Sequence, residues 1–278
     1  MSREFTYFEA LERGILTEYR EALWQPFCRA VKRYRLIQPG DKIAVCISGG
    51  KDSMLLAKLI QLLHRHSEAP FEAAYLIMDP GYNRINREKV ESNAQKLGIP
   101  YTLFESDIFE VANGQDKNPC FLCARMRRGC LYGRAQALGC NKIALGHHFD
   151  DVIETVVMSM LYGGQMQAMP PKLRAKNFPG MELIRPLYMV READIIAWKD
   201  ANELSFIQCA CRFTEQADRE EHVSKRQEVK RLIRALHEEN PVVEQNIFGS
   251  IHNVQLDTMA GWRYRGKDCS FLDDYDKR

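Results

Sequence analysis

The chain has 278 residues, nine of them cysteine, and carries 39 Lys plus Arg against 37 Asp plus Glu, a formal net charge of +2. That length suits one large domain, or one domain with a smaller appendage. The near-balanced charge excludes nucleic-acid binding driven by bulk basicity, so any basic surface must come from local clustering. The start, Met1-Ser2-Arg3-Glu4-Phe5, lacks an apolar core of signal-peptide length, and no run approaches a membrane span, so a soluble cytoplasmic protein with no membrane partner is expected. In a reducing compartment these cysteines are not a disulfide framework and need another explanation.

Residues 1–39 read as a helical lead-in that ends at the turn Pro39-Gly40-Asp41. Strand-like runs over 43–47, 71–78, 101–104 and 142–145 then alternate with helical patterns over 54–64, 88–97 and 120–138. Gly98 and Gly139 stand just past two of these helices, where a left-handed cap is often needed. The alternation predicts a doubly wound α/β domain over 40–190, its parallel sheet covered on both faces and its ligands at the C-terminal ends of the strands. After Leu161, Gly163-Gly164, Pro170-Pro171, Pro179-Gly180 and Pro186 break the chain into turns. Helical patterns near 192–202 and 214–237 then predict that 191–278 form a helical appendage packed on the same core.

The most informative stretch is Ser48-Gly49-Gly50-Lys51-Asp52-Ser53, set between the first strand and the first helix of that domain. Gly49 and Gly50 let backbone N–H groups approach an anion closely, Ser48 and Ser53 add hydroxyls, Lys51 adds charge, and the helix dipole points the same way. The spacing is not that of a Walker loop. It resembles the PP-loop of the ATP pyrophosphatases, which hold a triphosphate and release pyrophosphate while adenylating a substrate. Met78 and Gly146, at or near the ends of two strand-like runs, are counted with the same ATP site.

Two tight cysteine pairs stand out, Cys120-Phe121-Leu122-Cys123 and Cys209-Ala210-Cys211. Spacing alone favours a four-thiolate zinc site, then an iron–sulfur cluster, then a redox dithiol. Cys28, Cys46, Cys130, Cys140 and Cys269 read as core or surface residues.

From Cys120 the chain runs on as Cys-Phe-Leu-Cys-Ala-Arg-Met-Arg-Arg-Gly-Cys. Leu145-Gly146-His147-His148-Phe149-Asp150-Asp151, Ala168-Met169-Pro170-Pro171-Lys172-Leu173, Arg185-Pro186-Leu187 and Phe206-Ile207-Gln208-Cys209 follow in order. With the PP-loop, this set closely resembles the TtcA-type tRNA 2-thiocytidine synthetases over roughly residues 40–250. The lysidine synthetases share the loop but not the cysteines. The resemblance implies an adenine nucleotide α-hydrolase-like fold and a [4Fe-4S] cluster held by three cysteines, with sulfur for transfer at the fourth iron, which reverses the preference for zinc. Cys120 and Cys123 are then two ligands. The third lies in the later pair, where one residue replaces the family's usual two between the cysteines; Cys211 is the choice and Cys209 the alternative. The implied activity is ATP- and Mg²⁺-dependent adenylation of the C2 oxygen of an anticodon-loop cytidine in tRNA, followed by replacement of that oxygen with sulfur. The source of that sulfur would be a donor such as a cysteine desulfurase, and a homodimer is allowed. The rival readings are thiolation of another base or a small molecule by the same chemistry, and a non-catalytic iron–sulfur nucleotide sensor.

Asp52 and Asp151 are the candidates for orienting metal or substrate, and His147 for a proton or phosphate contact. The plainer readings are that one of His147 and His148 caps the helix that follows, and that Asp150 is its N-cap. Arg127 and Arg128 after the cysteine pair, and Arg226 and Lys230 on a later basic stripe, are the candidate RNA phosphate contacts. The stripe also reads as a solvated helix face opposite Val229, Leu232, Ile233 and Leu236.

Overall fold

The computed structural model describes residues 6–109, 119–207, 225–273 and 275, and only the backbone of residues 119–121 and 124. They belong to two compact units, one within Met1–Val152 and Met169–Ser224, the other within Ile153–Ala168 and Lys225–Arg278.

In the first unit α1 (Tyr7–Leu16) opens on a capping box. The Thr6 hydroxyl accepts the Glu9 N–H while the Glu9 carboxylate accepts the Thr6 N–H. A π-helical turn, Arg20–Trp24, leads into α2 (Gln25–Arg33). The winding follows as β1 (Lys42–Ile47), α3 (Lys51–His66), β2 (Glu72–Asp79), α4 (Arg84–Lys96), β3 (Tyr101–Glu105), α5 (Pro119–Ala137) and β4 (Lys142–Ala144). The first turn of α6 (Phe149–Gly163), then β5 (Lys172–Arg174), β6 (Glu182–Ile184) and α7 (Glu192–Ala201), complete it.

The sheet order is β3-β2-β1-β4-β6-β5, parallel except for the antiparallel edge strand β5. The order reverses between β1 and β4, and that switch point is where an open α/β sheet leaves a crevice. From Ile43 onward β1 is apolar, because both its faces are covered. Ile43, Val45 and Ile47 join one core with Leu55, Leu59 and Trp198, while Ala44 and Cys46 join the other with Tyr132 and Ala135. The doubly wound sheet and its first four strands match the sequence expectation. β5 and β6 do not, because three residues set among Pro and Gly turns are too short to show a period.

An ionic cluster is buried in this unit beside α3. Lys58 of α3 is fully buried, with its ammonium 2.5 Å from Glu12 Oε1 and 2.8 Å from Gln61 Oε1, and Arg65 reaches the same Glu12 oxygen at 2.7 Å.

The second unit holds the remainder of α6 with α8 (Lys225–Glu239), α9 (Val243–Ser250) and a hairpin of β7 (Gly261–Tyr264) and β8 (Lys267–Ser270). The hairpin was not expected where only helices were read. Its turn residues Arg265 and Gly266 both take positive φ, +51° and +80°, which suits a tight two-residue connection. On α8, Val229 and Ile233 are buried but Leu232 and Leu236 are exposed, so the apolar face is narrower than its period suggested. The part of the expected helix before Lys225 lies outside the described residues. Among the described residues no helix is long and apolar enough to cross a membrane.

Candidate active site

The loop after β1 is braced from within. Ser53 Oγ accepts the Ser48 N–H at 3.1 Å, donates to the Gly50 carbonyl at 2.9 Å, and lies 3.1 Å from Ser48 Oγ. The Tyr82 hydroxyl donates to the Ser48 carbonyl at 3.1 Å, and Tyr82 is itself placed by an Asp79 carboxylate that accepts the Gly81 and Tyr82 N–H groups. Gly50 is the N-cap of α3, so the open amides of that helix face the crevice.

The two glycines are not equivalent. Gly49 has φ +85°, and a Cβ there would lie 2.5 Å from Val90 Cγ2 and 2.8 Å from Ile207 Cδ1, whereas at Gly50 the nearest atom is Ser48 Oγ at 3.8 Å. Gly49→Ala is therefore expected to cost about 1–3 kcal/mol in urea unfolding, and Gly50→Ala under about 1 kcal/mol. Equal costs would show that the loop adapts around either side chain. Gly146 is constrained from the opposite wall, since a Cβ there would sit 3.0 Å from the backbone of Asp52 and Ser53. Glycine at 146 is what lets the end of β4 close against the loop.

The start of α6 resolves the two histidines. His148 Nδ1 accepts the Asp151 N–H at 3.4 Å, and Asp151 Oδ2 accepts the His148 N–H at 3.1 Å, a capping box with histidine in the hydroxyl's place. His148 is thus the cap, and Asp150 is not. The Asp150 carboxylate instead accepts the Glu192 N–H at 2.6 Å, capping α7 across the crevice. His147 turns to the cavity.

That cavity, about 300 Å³, is lined by Ser48, Asp52 and Ser53 from the loop, Met78 and Tyr82 from β2 and its turn, Arg127 and Leu131 from α5, and Gly146, His147 and Asp151. Cys46, Ile47 and Leu145 supply an apolar wall. Such a mixture of apolar walls and a few converging polar groups, at the switch point of the sheet, is the form of a small-molecule site. Of the residues assigned to ATP, Ser48, Ser53, Asp52, Met78 and Gly146 line it directly, and Gly49 and Gly50 shape it from the loop. The Lys51 side chain lies aside, bonded to Asp52 and Glu192. Asp52 Oδ1 is shielded from solvent and has the Lys51 ammonium 3.1 Å away as an ionic partner, without a hydrogen bond of good geometry.

Arg127, expected at an RNA surface, faces the cavity instead. Its guanidinium stands 5.2 Å from the Phe109 ring centre, and its Nε is shielded with no hydrogen bond. Arg128 is exposed. Arg226 is 3.5 Å from the buried carboxylate of Glu154, so it is committed at least in part within its own unit, while Lys230 lies one turn further along α8. Cys123 is a half-buried cysteine on α5, one turn before Arg127 and therefore on the same helix face. Cys120 shares that helix, with only its backbone described, and Cys209 and Cys211 lie outside the described residues. Cys46, set aside as a core residue, borders the cavity, and burial pushes its thiol up to about 12. Sequence reasoning missed Tyr82, Glu192 and the true facing of Arg127. Only the last had a signal, its four-residue spacing from Cys123.

The family model described as a PP-loop domain matches residues 23–221. The tRNA-cytidine(32) 2-sulfurtransferase of Alcanivorax borkumensis is 34% identical over 255 residues, 91% of this chain and 87% of that protein. The enzyme of the same name from Geotalea uraniireducens is 36% identical over 231 residues, 82% of this chain and 89% of that protein. Among solved structures, the U34-tRNA thiolase NcsA from Methanococcus maripaludis with its [4Fe-4S] cluster superposes with a TM-score of 0.65 at 20% identity. The match covers 86% of this chain and 80% of that one, and is a likeness of fold. A PP-loop built at the switch point, a cysteine-bearing helix that lines the same cavity, and relatives matched along nearly their whole length place this chain in the PP-loop family, among the tRNA-cytidine(32) 2-sulfurtransferases.

Proposed function

We propose that the protein is an ATP-dependent tRNA sulfurtransferase that converts cytidine 32 of the anticodon loop to 2-thiocytidine. The observation that carries this reading is the seating of α5. Cys123 lies one turn from Arg127, and Arg127 shares a cavity with the PP-loop, which supports a reading in which nucleotide and sulfur chemistry share one site.

The C2 oxygen of a pyrimidine is a poor leaving group, and transfer of AMP onto it from ATP makes it a good one, with pyrophosphate released. The amides after Gly49 and the α3 dipole hold the phosphates. The apolar wall of Ile47, Met78 and Leu145 receives the adenine, and Arg127 meets negative charge at the α-phosphate or the adenylated base. Two carboxylates on one wall, Asp52 and Asp151, are a donor set suited to Mg²⁺, which supplies charge neutralisation for the departing pyrophosphate. Cys120 and Cys123, three apart in sequence, have the spacing of two ligands of a [4Fe-4S] cluster, with Cys211 (or Cys209) proposed as the third. When bound, that cluster supplies the sulfur that replaces the activated oxygen. His147 holds or accepts a proton at the cavity wall, and Arg128, Lys230 and Arg226 are proposed to meet RNA phosphates. A cysteine desulfurase is the class of enzyme suited to replenish the sulfur.

The test uses anaerobically reconstituted protein with tRNA, ATP and a sulfide source, following AMP by chromatography and 2-thiocytidine by mass spectrometry. The expected result is tRNA-dependent AMP formation with one thionucleoside per AMP in the wild type. Cys123→Ala should still release pyrophosphate as it adenylates the tRNA, while thiolation and the AMP release that sulfur attack drives both fall at least about 100-fold. Thiolation without AMP, or AMP release indifferent to tRNA, overturns the reading.

A further inference from the structure

Lys51 is the cation that the loop offers to a phosphate, yet in this structure it is bound to acids. Its ammonium lies 3.0 Å from Glu192 Oε1, 3.1 Å from Asp52 Oδ1 and 3.2 Å from Asp52 Oδ2. The side chains of Lys51, Asp52 and Glu192 are only 22%, 28% and 16% exposed, so water screens these contacts weakly. Burial works against the charge of Lys51, but Asp52 and Glu192 outweigh it and hold its pKa above the ordinary value.

Glu192 is well fixed for such a role. It opens α7, where a carboxylate is favoured by the helix dipole, and its N–H donates to Asp150 on the first turn of α6. The Lys51–Glu192 bond therefore joins the loop to the two helix starts that wall the crevice.

We infer that Glu192 is a positioning residue that stands in for the nucleotide's phosphates, holding Lys51 until a triphosphate arrives and then yielding it. The inference rests on the reading of the cavity as an ATP site. It means that part of the affinity for ATP is spent on breaking this ion pair. Loss of the Glu192 charge then tightens binding, but only while Lys51 is present to be released. A purely structural role at the start of α7 would act alike with or without Lys51.

Titration calorimetry of the full chain with ATP tests this in the wild type, Glu192→Gln, Lys51→Met and the double variant. Glu192→Gln is expected to bind ATP about tenfold more tightly than the wild type. In the Lys51→Met background the same change is expected to alter affinity by less than about twofold. If Glu192→Gln binds ATP equally or more weakly, or gains as much without Lys51, the inference falls and the nucleotide site stands. If no variant, the wild type included, is saturated by ATP, the nucleotide reading falls and takes the inference with it.

Discussion

Asp151→Asn is expected to lower the single-turnover rate of thiolation by about 10²–10⁴-fold while changing stability by less than about 1 kcal/mol. The two effects separate because Asp151 has two separable duties. Its Oδ2 accepts the His148 N–H at 3.1 Å, which an asparagine carbonyl can do as well. Its negative charge faces the cavity, with the His148 ring standing 3.6 Å from Asp151 Oδ2 and 3.9 Å from Asp52 Oδ1. Only the second duty is lost in Asn, and with it the second carboxylate proposed for Mg²⁺. Asp151→Ala loses both and should cost about 1 kcal/mol more in thermal or urea unfolding, the usual worth of a helix cap. Rate assays and melting curves on the two variants distinguish the duties. An Asn variant as fast as the wild type would reduce Asp151 to a cap.

The loop that carries this chemistry was legible because its determinants are local. An apolar run, two glycines and a helix-forming stretch occur within a score of residues, and the strand, turn and helix form where that pattern places them. The other strands of the winding were legible for the same reason, each bounded by its own turn signals. What escaped the sequence depends on partners far along the chain. Asp150 looks like the cap of its own helix, yet it caps α7, whose start lies more than forty residues later and arrives only through the sheet order. β6 has three residues and exists as a strand because β4 stands beside it. Arg127 and Arg128 are adjacent and chemically alike, but the 100° between successive helix positions sends one to the cavity and leaves the other exposed. The basic stripe of α8 was read from its period alone, and the period does not reveal that Glu154 stands opposite Arg226.

Glu12→Gln is expected to destabilise the protein by about 3–5 kcal/mol near neutral pH without creating a cavity. The Lys58 side chain has no exposed surface, and among its described contacts Glu12 supplies the compensating negative charge; Gln61 offers only a neutral carbonyl. The substitution keeps shape and hydrogen bonding but leaves an ammonium in an apolar core, the situation in which desolvation is not repaid. The pH dependence follows from both partners. Burial raises the Glu12 carboxyl, but Arg65 and Lys58 outweigh that and hold it below its ordinary value. Its contribution is therefore complete above about pH 4.3, the unperturbed value, and is lost as pH falls through the lower value of the folded state. Wild type and Glu12→Gln should thus converge in acid, where both carry a neutral group at position 12. Lys58 behaves in the opposite region. Burial holds its pKa below the ordinary value even against Glu12, and without Glu12 it should fall further. The folded variant then sheds its proton before the unfolded chain does, so its stability should recover as pH rises toward about 10.4. Urea denaturation across the pH range measures both limbs. A variant deficit that stays constant from acid to alkali would mean that Glu12 contributes packing alone, and that the buried ammonium finds its compensation elsewhere.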